Sequence, residues 1–154
     1  MLQFPATDAV LNDFDKPYSC LVQPVSTTSD FYRSRSDNVF DAVNAYYHID
    51  TMLRYIILDL EINVGPTEYT GGFQFDPHAS DGEDNSFYSS WSQQLGYGEG
   101  GVDDAEDADV VVHELAHALH DILALGMSQE DGLAEVRSNK YDGRVFWLII
   151  LQVL

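Results

Sequence analysis

The sequence predicts an α+β fold, in which a twisted and mostly antiparallel sheet has its edge strand beside a long helix. Two segments, 36–60 and about 104–125, repeat apolar residues at three- and four-residue steps, as amphipathic helices do. The segment between them, 67–98, combines short alternating runs with turn residues, which is typical of strands joined by turns.

The length and composition describe one acidic globular domain. The 154 residues are 45% hydrophobic, which provides for one core and argues against disorder. A net charge of −19 argues against nucleic acid and against an anionic membrane as partners, and it is compatible with divalent cations. The single Cys20 excludes an internal disulfide. The first residues lack a signal-peptide pattern, so the chain is either cytoplasmic or an internal piece of a longer secreted protein.

The chain divides into three parts. Residues 1–35 contain scattered prolines and a Ser/Thr cluster, and we interpret them as an irregular lead-in with one strand at 19–25. Residues 36–141 form the principal subdomain. Residues 142–154 form a hydrophobic tail, too short to span a bilayer, which we interpret as unrelated to the preceding domain after truncation or a frame change.

The first helix is predicted from Ser36 or Asp37, either of which can cap its start, to about Leu60. The apolar positions expected to face the core are Val39, Val43, Tyr46, Leu53, Ile57 and Leu60. His48 lies within this helix among aromatic residues, where packing is the more common role of a histidine.

The central segment predicts a sheet edge. Phe73-Gln74-Phe75 alternates, residues 81–84 form a turn, and residues 85–89 and 95–97 are two strands joined by a loop through Trp91. The glycines that follow, at positions 96, 98, 100 and 101, are interpreted as a flexible exit.

An acidic segment, 99–109, precedes the second helix and contains no basic residue. Asp103 and Glu106 have the spacing of a capping box. The alternative is a calcium loop, although the order of the acids is not that of an EF-hand.

The second helix contains His113-Glu114-Leu115-Ala116-His117. Residues four apart lie on one helix face about 6 Å apart, so both imidazoles can bind one tetrahedral Zn2+. Glu114 projects beside the metal, where its carboxylate can deprotonate a water molecule. The alternative is a buried helix with two incidental histidines.

A catalytic zinc usually has three protein ligands and one open position. His120 lies about 10 Å further along the helix than His113 and is therefore out of reach. Glu135 is the better third ligand, because Gly126 ends the helix and residues 132–135 begin a returning segment. Glu130 and Asp131 are alternative candidates for the third ligand, and both fall in the turn.

These residues resemble the gluzincins, the thermolysin-like and fungalysin-like zinc peptidases. His113-Glu114-x-x-His117 is followed by a Glu eighteen positions later. Upstream, residues 84–88 and 95–100 resemble the edge hairpin before the zinc helix of thermolysin, and residues 41–47 resemble the helix before that hairpin.

The resemblance implies a zincin-like fold and a role for each matched residue. His113, His117 and Glu135 bind zinc, and Glu114 is the general base. Asn85 and Ser86, on the edge strand, hydrogen-bond the backbone of a peptide substrate. The family is mostly secreted, which suggests an extracellular location.

The sequence also departs from the family. Asn139 stands where the family has an Asp that orients a zinc-binding His, and Met127 aligns with a tyrosine that stabilises the oxyanion. We expect the family's helical C-terminal domain to be missing from this chain. We therefore expect a zinc metalloendopeptidase that is weak or inactive as this chain, acting on peptide or protein substrates. The alternatives are a non-catalytic zinc- and peptide-binding remnant and an acidic, calcium-dependent interaction module.

Overall fold

The computed structural model describes residues 9–14, 31–37 and 39–124, which form a four-stranded sheet with two α-helices. In chain order the elements are β1 (Ala9–Leu11), α1 (Phe40–Arg54), β2 (Phe73–Ala79), β3 (Phe87–Ser89), β4 (Gln94–Gly98) and α2 (Ala108–Ala124). A π-helical turn, Tyr55–Asp59, extends α1, and 3-10 turns span Ser80–Gly82 and Asp104–Glu106. The predicted α+β class is confirmed.

The sheet is mixed, with the strand order β1-β2-β4-β3. Strands β1 and β4 run parallel to β2, whereas β3 runs antiparallel to β4. The prediction of a mostly antiparallel sheet is therefore wrong. The reason is that α1 lies between β1 and β2 along the chain, and a connection of this length returns the second strand parallel to the first.

Strand β1 lies in the segment that was predicted to be an irregular lead-in, so that prediction is wrong at residues 9–11. Ala9 and Leu11 are buried in the same core as the helices. Just beyond the strand, the Phe14 amide donates to the buried Asp76 carboxylate at 2.7 Å. A strand of three residues shows too little alternation to be recognised in the sequence. The predicted strand at 19–25 lies outside the described residues.

Helix α1 begins later than predicted. Its N-cap is Val39, whose side chain makes no capping hydrogen bond, so capping by Ser36 or Asp37 is wrong. The Asp37 backbone carbonyl instead accepts a hydrogen bond from the Phe40 amide at 3.0 Å. At the other end, the Leu60 amide donates to the Tyr55 carbonyl at 3.1 Å, and the wider π-helical turn keeps Ile56 buried.

The predicted hairpin of β3 and β4 is confirmed, with β3 at the edge of the sheet. The interpretation of the glycines as a flexible exit is wrong at Gly96 and Gly98, which lie inside β4. A Cβ atom on Gly98 would collide with the backbone of Glu83 and Asn85. The glycine therefore permits close packing of the preceding loop against β4.

Helix α2 begins at Ala108 instead of Asp104, because residues 104–106 form a separate 3-10 turn. The sheet and both helices share one core, whose largest fully buried side chains include Ile49, Leu53, Phe73, Phe75, Leu95, Tyr97, Val111, Leu115 and Leu119. Within the described residues no helix combines the length and apolar character needed to cross a membrane.

Candidate metal centre

Helix α2 places the two histidines of the HExxH motif side by side. The Nε2 atoms of His113 and His117 lie 3.1 Å apart, and the rings meet edge to face with centroids 4.7 Å apart. Two nitrogens bound to one tetrahedral zinc at about 2.0–2.1 Å lie roughly 3.3 Å from each other. The pair therefore fits zinc with a small adjustment. Without a metal, the same distance allows a hydrogen bond from one neutral ring to the other.

Glu114 lies on a different side of the helix from the two histidines. His113 and His117 are exposed among the described residues, whereas Glu114 is partly buried. Its charge reaches the buried Tyr97 of β4: burial raises the pKa of the Tyr97 hydroxyl, and the Glu114 carboxylate raises it further. The Tyr97 hydroxyl donates to the Val111 carbonyl at 3.3 Å. The Glu114 carboxylate is thus close enough to the sheet to influence Tyr97, on a side of α2 that differs from the exposed side of the histidines.

The edge strand is attached to the same helix by a tyrosine. The Tyr88 hydroxyl of β3 donates to the Asp121 carboxylate at 2.9 Å. Asp121 is one turn beyond His117, on the side of α2 that carries both histidines. The outer edge of β3 has no strand partner among the described residues. An extended peptide could add to this edge by backbone hydrogen bonds.

Asn85 and Ser86 lie immediately before β3 and not within it, so their predicted position on the edge strand is wrong by one to two residues. The Ser86 hydroxyl donates to the Asp104 carboxylate at 2.6 Å and accepts from the Gly98 amide at 3.2 Å. This side chain therefore stabilises the protein internally. Asn85 is exposed, and its backbone carbonyl accepts a hydrogen bond from the Ser80 hydroxyl at 2.9 Å.

The acidic segment before α2 has local partners for several of its carboxylates. Asp103 accepts from the Ala105 amide at 3.0 Å, and Asp107 accepts from the Asp109 amide at 2.8 Å. Glu106 forms an ion pair with Arg35 at 3.3 Å. Asp103 thus caps a 3-10 turn, although the prediction placed it at the start of α2. These contacts are those of turn and helix starts, and they do not test the calcium alternative.

The remaining predicted site residues lie outside the described residues. They are Glu135, the alternative third ligands Glu130 and Asp131, and Met127 and Asn139, where the sequence departs from the family pattern. Within the described part of the chain, the predicted zinc site is represented only by His113, His117 and Glu114. His120 is exposed on α2.

A second group of possible metal ligands was not predicted from the sequence. Asp41 of α1, His78 of β2 and Asp103 offer ligand atoms that all lie within 4.8 Å of one another. His78 Nε2 contacts Asp41 Oδ2 and lies 3.8 Å from Glu99 Oε1. The Asp41 carboxylate raises the pKa of His78 to about 9, although burial opposes this shift. Burial raises the pKa of Asp103 to about 6, and the nearby Asp41 charge adds to it.

No signal in the sequence could have identified this group. Asp41, His78 and Asp103 are separated by 37 and 25 positions, and no spacing rule joins them. Of the three residues, the sequence pattern indicates a local role only for Asp103, as a helix cap. The group forms because a helix start, a strand end and a loop meet in the folded chain.

A scan against protein-family models and a search of curated proteins both find no match for this chain. The resemblance to the gluzincins therefore depends on the residues quoted above and remains a prediction.

Proposed function

We propose that this chain is a zinc-dependent metalloendopeptidase whose zinc ligands are His113, His117 and Glu135. The observation that carries the proposal is the 3.1 Å separation of the two histidine Nε2 atoms on α2. It is close to the separation expected for two zinc-bound nitrogens. The chemistry of the donors, two imidazoles and a carboxylate, is also that of catalytic zinc sites.

The roles of the other residues in the proposal come from the resemblance and from the open edge of β3. Zinc, when bound, supplies a Lewis acid that activates water and polarises a peptide carbonyl. Glu114 accepts the proton of the attacking water and donates it to the leaving amine. The open edge of β3 holds the substrate in an extended conformation through backbone hydrogen bonds. Asn85, exposed just before β3, would contact the same peptide.

The proposal is tested by assaying the zinc-loaded chain on an unstructured peptide. We expect weak hydrolysis that a chelator removes and added zinc restores. His117→Ala should abolish both hydrolysis and zinc binding at this site. His120→Ala is the matched control, since it removes an exposed imidazole from the same helix one turn further on, and it should change neither.

Two outcomes would oppose the proposal. Loss of zinc in His120→Ala with full retention in His117→Ala would show that the ligand set is wrong. Zinc bound through His113 and His117 without any detectable hydrolysis would favour the alternative, a non-catalytic zinc- and peptide-binding protein.

A further inference from the structure

The unpredicted group of ligands lies at one end of the sheet. Strands β2 and β4 are parallel neighbours, so their carboxyl ends lie together. His78 is the penultimate residue of β2, and Glu99 directly follows β4. Asp41 comes from the first turn of α1, and Asp103 precedes the 3-10 turn before α2. The region beyond the carboxyl ends of parallel strands is a common place for ligands.

The distances between the donors are close to those of a metal site. Two atoms bound to one ion at about 2.0–2.2 Å lie at most about 4.4 Å apart. The donor atoms of Asp41, His78 and Asp103 lie within 4.8 Å of one another. To share an ion, His78 and Asp41 would move apart from their present direct contact, because two donors on one tetrahedral ion lie roughly 3.3 Å from each other.

Asp41 is the buried member of the group. The residue is 5% exposed, and its Oδ2 atom is in direct contact with His78 Nε2. A buried carboxylate is costly unless a cation compensates its charge, and the His78 ring does so here when it is protonated. A divalent ion held between the two side chains would replace the ring proton in this role.

We propose that Asp41, His78 and Asp103 form a second metal site, separate from the histidine pair of α2, that binds a divalent transition-metal ion. An imidazole with two carboxylates suits zinc, manganese or iron, whereas calcium and magnesium prefer oxygen alone. The two carboxylates balance the charge of the ion. Glu99, whose side chain is 46% exposed, lies on the solvent side as a further donor.

The position of this site indicates what the ion would do. It would join α1, the end of β2 and the loop that leads into α2. The Asn44 side chain already donates to the Ala105 carbonyl at 2.9 Å, so α1 and this loop are in contact. A metal bound one turn earlier on α1 would fix the loop from which α2 begins. This site therefore has a structural role.

The test is to count zinc equivalents by equilibrium dialysis on the full chain and four variants. The wild type should bind two equivalents, and His113→Ala/His117→Ala should keep one. Asp41→Asn/Asp103→Asn should also keep one, and the combination of all four substitutions should bind none. Asp59→Asn, which removes an exposed acid outside the group, is the control and should keep two. Circular dichroism checks that each variant is folded.

The double histidine variant separates this proposal from the peptidase proposal. If the histidine pair does not bind zinc, the wild type and the double histidine variant each bind one equivalent. Asp41→Asn/Asp103→Asn then binds none, and the second site stands. If the aspartate variant does not fold, His78→Gln in the double histidine background provides the same test at a partly exposed position.

Two results would overturn the second site. One is the absence of zinc binding in a folded His113→Ala/His117→Ala variant. The other is full displacement of its zinc by an equal concentration of calcium, which would indicate an oxygen-preferring site. Retention of two equivalents in Asp41→Asn/Asp103→Asn would equally exclude these ligands.

Discussion

The two candidate metal sites differ in how the chain assembles them. His113 and His117 are four residues apart on one helix, exposed, and in place as soon as α2 forms. Asp41, His78 and Asp103 come from three elements and include a buried carboxylate. The histidine pair of the first site is a property of local helical geometry. The second is a property of the tertiary fold, and it exists only when α1, β2 and the loop before α2 are packed together.

This difference predicts that the two sites contribute unequally to stability. Changing an exposed side chain usually alters the free energy of unfolding by less than about 0.5 kcal/mol. Removing one partner of a buried polar contact commonly costs about 1–3 kcal/mol. The more deeply a ligand is buried, the more its loss should destabilise the protein even without metal.

The largest effect on stability is therefore expected for Asp41→Ala. In the presence of a chelator it should lower the free energy of unfolding by about 1–3 kcal/mol, because His78 loses the carboxylate against its ring. His117→Ala should change the same quantity by less than about 0.5 kcal/mol. Urea denaturation of both variants measures the difference. Equal losses of the free energy of unfolding in Asp41→Ala and His117→Ala would contradict the distinction between a site built by the tertiary fold and a site built on one helix.

The same distinction explains what could be predicted from the sequence. The HExxH pair, both helices and the hairpin depend on patterns within about twenty consecutive residues, and the structure has each of these elements. Strand β1, at three residues, carries too short a pattern, and without it the parallel direction of β2 could not be inferred. The group around His78 has no local pattern at all, because its members meet only through packing.

An intermediate effect is expected at the contact between the edge strand and α2. Tyr88→Phe removes the hydrogen bond to Asp121 and should cost about 0.5–1.5 kcal/mol of stability. It should also raise KM for peptides, because β3 then lies less firmly beside the histidines. Tyr69→Phe is the matched control, since its hydroxyl bonds to Gln93 and Gln74 instead. An equal rise in KM for both variants would contradict the assignment of β3 to the substrate site.

The smallest effect concerns His48, which we interpret as a packing histidine. Burial lowers the pKa of His48 below 6.5, although the Asp109 charge opposes this shift. The unfolded chain then binds the proton more readily, so His48 should reduce stability as the pH falls through about 6.5. His48→Gln should make the decline in stability between about pH 7.5 and about pH 5.5 shallower than in the wild type. A steeper decline would show that the protonated ring is stabilised.

The most direct test of the central claim is the activity and zinc content of Glu114→Gln, measured on the same sample. The substitution keeps the size of the side chain and removes the base. If Glu114 transfers the proton and does not bind the metal, hydrolysis of an unstructured peptide should fall by about 10²–10⁴-fold with the zinc content unchanged. Unchanged hydrolysis, or loss of zinc together with hydrolysis, would contradict the assignment of Glu114 as the general base.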